Sequence, residues 1–247
     1  MGYSKSNSDI EKMTRCGRIS AGAMSAVLSN VRAGVSLIEL DSVAADYISG
    51  SGAKASFMTV DNYRFTTCIN VNEGIVHGLP NDYRLKDGDI VSIDLGALYL
   101  GFHTDLSHTV EVGTSKESEF LSAGKEGLEK AISKAVEGNR LGDISFEMQS
   151  AVEKHGWSVS RDLVGHGIGK QLHEDPYVPC YGKPGKGMKL KENMVLAIEI
   201  IYQKGKPELA LERDDWTYRT LDGSLSGLFE HTVVVGKTEP KILTVFN

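Results

Sequence analysis

Four carboxylates and one imidazole in this chain have the types and settings for chemistry, and each also has a plainer reading as a surface or hydrogen-bonded residue, poorest for Glu199. Glu199 is the one residue that is neither apolar nor aromatic in "MVLAIEIIY", 194 to 202, a run with the length and β-branched content of a buried strand. An isolated carboxylate there would lose its hydration and would rather change its pKa than stay charged. Glu230, followed by His231, interrupts a second apolar strand, "SGLFEHTVVV", 226 to 235. Asp94 and Asp105 lie in "DIVSIDLGALYLGFHTDLSHTV", 89 to 110, which alternates as an antiparallel hairpin with one apolar and one polar face. A turn centred between Tyr99 and Leu100 sets Ile93 against Leu106, Ala97 against Phe102, and Asp94 directly opposite Asp105. Like charges so placed are destabilising unless something sits between them, and a divalent cation suits two carboxylates aimed at one point. A solvated polar face explains the hairpin equally well.

His166 stands between two glycines in "VGHGIGKQLHEDP", 164 to 176, and His173 follows in the same loop. Glycines permit tight turns and close backbone approach, which suits a histidine presented to a site. The spacing G-x-G-x-G is no dinucleotide fingerprint, and "GKT" at 236–238 is no phosphate loop, because His231 occupies the position that needs Gly. Four carboxylates and one imidazole converging would hold two divalent ions at the spacing of a two-metal hydrolase.

The elements that must position these groups are legible in outline. Ser8-x-x-Glu11 opens a helical stretch to about Val31, and Ser36-x-x-Glu39 starts a second. Residues 115 to 137 and about 143 to 155 read as two more helices, closed by Gly138 and Gly156. Strand-like segments cover roughly 66–72, 88–98, 102–112, 194–203, 208–220 and 228–235. Helices segregated from hairpins predict an α+β fold. No linker divides the chain, so one domain over 1–247 is expected, with 1–8 as a flexible N-terminal segment.

Composition narrows the class. A formal net charge of -6 gives no reason to expect nucleic acid as a ligand. Cys16, Cys68 and Cys180 are scattered and odd in number, which fits a reducing compartment rather than a disulfide framework. No apolar run approaches the roughly 20 residues of a membrane span, and "MGYSKSNSDIEKM" lacks the apolar core of a secretory signal. Gly2 and Ser6 match a myristoylation pattern that is short enough to arise by chance.

The order and spacing of Asp94, Asp105, His166, Glu199 and Glu230, within "IDLGALYLGFHTDLS", "GHGIG", "AIEI" and "FEHTVVV", resemble the methionine aminopeptidases. "NVNEGIVHGLP", which holds His77, resembles the stretch around that family's first active-site histidine, and the likeness runs from about Ile10 to Thr244. It implies a pita-bread α+β fold, two pseudo-symmetric halves of antiparallel sheet and flanking helices around a central metal site. The short spans from His173 to Glu199 and from Glu199 to Glu230 leave no room for the helical insertion of the second class, so type I is implied.

By that resemblance, Asp105 and Glu230 bridge two divalent ions (manganese, iron(II), cobalt or zinc). His166 and Glu199 complete one ion, and Asp94 chelates the other. Glu199 passes the proton from water to the leaving amine, while His77 and His173 bond the scissile amide. Tyr63, Cys68 and Trp216 match the wall of the methionine pocket. The implied substrates are nascent polypeptide N-termini and short peptides with a small second residue, Met1-Gly2 of this chain included. A cytoplasmic monomer with the ribosome as a further partner is implied too.

Several positions depart from the family pattern. Ile200 replaces the usual Pro after Glu199, restoring a strand N–H, and Ile201 stands where Met is common. Leu172 falls where an aromatic is frequent, and Phe57, Val60 and Asp61 also differ. A changed pocket can relax the preference for Met, since apolar pockets discriminate by only about 1–3 kcal/mol per methylene. Two rival readings follow: an aminopeptidase of the same fold with other specificity, such as a prolidase, or a non-catalytic binding module. The short span before Asp94 argues against the first, and retention of all five ligands argues against the second.

Overall fold

A computed structural model describes residues 3–246. In chain order the elements are α1 (Asn7–Leu28), α2 (Leu37–Gly50), β1 (Lys54–Ala55), β2 (Thr67–Val71), β3 (Gly74–Val76), β4 (Ile90–Tyr99), β5 (Phe102–Glu111), α3 (Ser118–Ser133) and α4 (Leu141–Glu153). There follow β6 (Ser158–Val159), β7 (Val164–Gly167), β8 (Glu174–Pro179), β9 (Val195–Gln203), β10 (Leu209–Leu211), β11 (Tyr218–Thr220), β12 (Ser226–Val234) and β13 (Lys241–Ile242). The segment read as one strand over 208–220 is the hairpin β10–β11, because residues between its arms turn around Asp214.

The main sheet has the spatial order β1-β4-β5-β12-β9-β7-β8, with β2 also on β4, β6 on β9 and β13 on β12. Its strands alternate faces. Leu196, Ile198, Ile200 and Tyr202 of β9 sit in the core under α3 and α4, while Val195, Ala197 and Glu199 face the other way. Val91, Ile93 and Leu95 of β4 do the same under α1 and α2. Each such side chain contributes about 1.5–3 kcal/mol on burial, which offsets the cost of a charged opposite face.

The two halves are related by a pseudo-two-fold axis between β5 and β12. Thr109 Oγ1 accepts from Leu228 N at 2.9 Å and donates to Leu228 O at 2.6 Å. Thr232 Oγ1 accepts from Asp105 N and donates to Asp105 O, both at 2.8 Å. The same hydroxyl bridge thus joins the central strands at both ends, with α1–α2 and β4–β5 answered by α3–α4 and β9–β12. The α+β expectation holds.

Three local expectations are corrected. The capping side chain of α1 is Ser6, which accepts from Asp9 N at 3.2 Å, so the Ser8-x-x-Glu11 pattern lies inside the helix. Residues 4–6 of the supposed flexible segment are fastened: Ser4 bridges to Met194, and Lys5 N donates to Asn193 O at 2.8 Å. Met1 and Gly2, with the myristoylation pattern that begins there, lie outside the described residues. The hairpin turn sits between Leu100 and Gly101, with Tyr99 paired to Phe102. Both central residues have positive φ, 52° and 79°, as a two-residue turn matched to the strand twist requires. Glycine at the second position is what allows it.

Candidate metal-dependent active site

That turn shifts the expected register by two residues. Asp94 faces Ser107, and Asp105 faces Gly96. Because side chains alternate with period two, both aspartates still project from the same face. The direct carboxylate pair is elsewhere: Glu230 on β12 lies opposite Glu199 on β9. One rung of the sheet therefore reads Asp94, Ser107, Glu230, Glu199 across β4, β5, β12 and β9. The adjacent rung on the same face carries Asp105 on β5 and, beyond Ala197, His166 on β7.

All five groups line one cavity where the two rungs adjoin. One ligand atom each from Asp105, His166 and Glu230 lies within 4.8 Å of the others, and all three residues are buried. Ser107 Oγ stands 2.7 Å from Asp94 Oδ1 and 2.9 Å from Glu230 Oε2. A hydroxyl has one proton, so it cannot donate fully to both. Ser107 escaped the sequence reading; its position on the polar face two residues after Asp105 was the available signal. His166 Nδ1 donates to Gly167 O at 2.9 Å, which leaves Nε2 as the lone-pair nitrogen, 3.9 Å from Asp105 Oδ2.

The acids strain against one another. Burial pushes Glu199 up to about 8, with the charge of Asp94 adding, and burial pushes Asp94 up to about 7. Both line a cleft and are half-buried there. Asp105 and Glu230 are raised as well, by burial and then by their neighbouring carboxylates. Burial first and His173 second hold His166 down at about 4, so its ring is neutral. Glu230 Oε1 is buried without a hydrogen-bond partner. An unpartnered buried carboxylate oxygen among three other acids and a neutral imidazole fits a bound divalent cation, which would supply the missing charge.

A cavity of about 310 Å³ opens above these groups. One wall is apolar and holds Phe57, Val60, Tyr63, Cys68, Leu172 and Trp216. Tyr63 packs edge-on against Trp216 at 5.0 Å and donates its hydroxyl to Thr67 O at 2.7 Å. His77 and His173 line the same cavity, and the His173 ring lies 4.5 Å from that of His166. Desolvation lowers the pKa of both, with His173 adding to the effect at His77, which favours the neutral ring with one N–H to donate. His77 holds a left-handed backbone, φ 57°, a conformation histidine tolerates better than most residues. Tyr177 and Asp162, which the sequence reading did not single out, are exposed at the rim. Asp61 does not line the cavity; its side chain is exposed. Ile200 leaves β9 unbroken, paired with Phe229, and points into the opposite core.

The model of metallopeptidase family M24 matches residues 11–237. The chain belongs to that family. The methionine aminopeptidase of Clostridium perfringens is 44% identical over 243 residues, 98% of each chain. The crystal structure of the methionine aminopeptidase from Thermotoga maritima superposes with a TM-score of 0.95 at 40% identity, covering 97% of this chain and 98% of that one. The prolidase from Pyrococcus furiosus superposes at 0.80 with 24% identity, and this chain covers 66% of it. That likeness shows the shared fold alone. The M24 chain thus has the pita-bread fold, and its family's use of divalent metal accords with the carboxylate cluster.

Proposed function

We infer that this chain is a methionine aminopeptidase, a metallo-exopeptidase that removes N-terminal methionine from polypeptides with a small second residue. The observation that carries the reading is the two-rung cluster of Asp94, Glu230, Glu199, Asp105 and His166 at the floor of a cavity with one apolar wall. Asp94, Asp105, His166, Glu199 and Glu230 would hold the divalent metal. Divalent metal bound there supplies an acidified water and polarises the scissile carbonyl.

The protein's own groups do the rest. Glu199 accepts the proton of the attacking water and returns it to the leaving amine. Neutral His77 and His173 donate to the scissile amide and to the oxygen on which charge develops. The wall of Phe57, Tyr63, Cys68, Leu172 and Trp216 holds the methionine side chain and excludes water from it. Buried free cysteines and the absence of a helix long and apolar enough to cross a membrane among the described residues accord with a cytoplasmic enzyme acting on nascent chains. The ribosome is the expected place of encounter, and the active unit a monomer.

A peptide cleavage assay on metal-reconstituted protein tests this. It compares Met-Gly-, Leu-Gly- and Ala-Pro-type substrates, with Glu199→Ala and a chelated sample as blanks. Release of free Met, abolished in both blanks, is expected. Cleavage of Leu-Gly or Ala-Pro instead would overturn the specificity while keeping the chemistry, and no turnover with any metal would leave a binding module.

A further inference from the structure

We propose that Lys5 is a positioning residue for this reaction, its ion pair with Glu174 tying the N-terminal arm to the loop that carries His173. The proposal rests on the function inferred above, in which His173 bonds the scissile group.

The arm is fastened at the start of β9, the strand of Glu199. Ser4 bridges to Met194 and its hydroxyl donates to Glu192 O at 2.8 Å, while Lys5 N donates to Asn193 O at 2.8 Å. From this anchor Lys5 Nζ reaches Glu174 Oε2 at 2.5 Å, with the two side chains only 16% and 23% exposed. The other oxygen of Glu174 accepts from Gln171 N at 3.1 Å. One carboxylate therefore joins the arm to the backbone of the loop between β7 and β8.

That loop runs from Gly167, which Glu174 faces in the ladder, round to His173. Its opposite side is held by His103 N, which donates to Gly169 O at 2.7 Å. A Cβ on Gly169 would lie 2.5 Å from Lys5 Nζ and 2.8 Å from Glu174 Oε1. The ion pair thus packs straight onto the loop backbone, and the glycine is what lets it approach.

Exposed ion pairs contribute little, but this one is half withdrawn from water and doubles as a backbone anchor. Without the ammonium, Glu174 would be left without its counter-ion and would turn toward solvent, releasing Gln171 N. A glycine-containing loop then gains freedom, and His173, the neighbour of Glu174, loses its fixed position over the site. Misplacing a clamp by about 1 Å costs on the order of 10²-fold, so an effect through one intermediary of about tenfold is expected.

The test measures kcat and KM of the metal-loaded full chain on a Met-Gly peptide for wild type, Lys5→Met, Lys5→Arg, Glu174→Gln and His173→Ala, and for Lys5→Met combined with His173→Ala. Lys5→Met is expected to lower kcat about tenfold with KM within about twofold, and to lower the thermal midpoint by a few degrees. Lys5→Arg should recover most of the loss, and Lys5→Met should cost nothing further in the His173→Ala background. An active wild type with unchanged kcat in Lys5→Met overturns the proposal alone. So does an equal loss in both backgrounds, which would mean that Lys5 acts elsewhere. A wild type without activity on methionyl peptides overturns the functional reading, and this one with it. Should Lys5→Met not fold, Glu174→Gln keeps the shape and must itself reproduce the loss in kcat.

Discussion

Glu199 and Glu230 face each other in direct register across the β9–β12 pair. Two carboxylates in that relation destabilise a sheet unless a cation lies between them, and Asp94 adds its charge to both Glu199 and Asp105, so the whole cluster couples stability to metal. In metal-free protein, Glu199→Gln is expected to raise stability by on the order of 1 kcal/mol while lowering kcat of the loaded enzyme by about 10²–10⁴. Urea unfolding in chelator, set beside the peptide assay, checks both signs. A variant that is less stable than wild type without metal would show that the acids do not repel in the folded state.

His77 should act on the bound peptide and not on the metal. His77→Asn keeps a side chain that tolerates the left-handed backbone at φ 57°. The expected result is a fall in kcat of about 10²–10³ with metal content unchanged, read by peptide turnover and elemental analysis. Loss of bound metal in this variant would count against the assignment.

The acid limb of stability is assigned in part to His108. Its ring lies edge-on between Phe229 and Phe246, at 5.1 and 5.0 Å. Burial, and then Lys125 and His231, push its pKa down to about 3. The folded state therefore keeps it neutral while the unfolded chain protonates it near pH 6.5. Its contribution is complete above about pH 6.5 and is lost as pH falls from there toward about 3. His108→Leu should flatten thermal stability across that window, and an NMR titration of wild type should find this ring still neutral at pH 5.

Leu100 occupies the first central position of the β4–β5 turn with φ 52°, and it is 49% exposed. A leucine pays there for a conformation that Asn and Gly adopt freely. Leu100→Asn is expected to stabilise the chain by about 1 kcal/mol without altering kcat. A lower midpoint in denaturant would contradict the turn geometry.

The amino-acid sequence determined the components of this protein. Period-two alternation in 89–110 put Asp94 and Asp105 on one face both in the expected register and in the observed one, two residues away. An acid inside each of two apolar strands marked Glu199 and Glu230, and the capping box Ser36-x-x-Glu39 opens α2 as read. Tertiary structure decided what meets what. A one-position shift of the turn, set by the positive φ of Leu100 and Gly101, moved the register by two and made Ser107 the partner of Asp94. That Glu199 opposes Glu230, that His166 crosses from β7 to reach Asp105, and that Lys5 reaches Glu174 are pairings between distant segments. No local pattern encodes them, because the free energy that selects them comes from closing the whole sheet over its helices rather than from any single stretch.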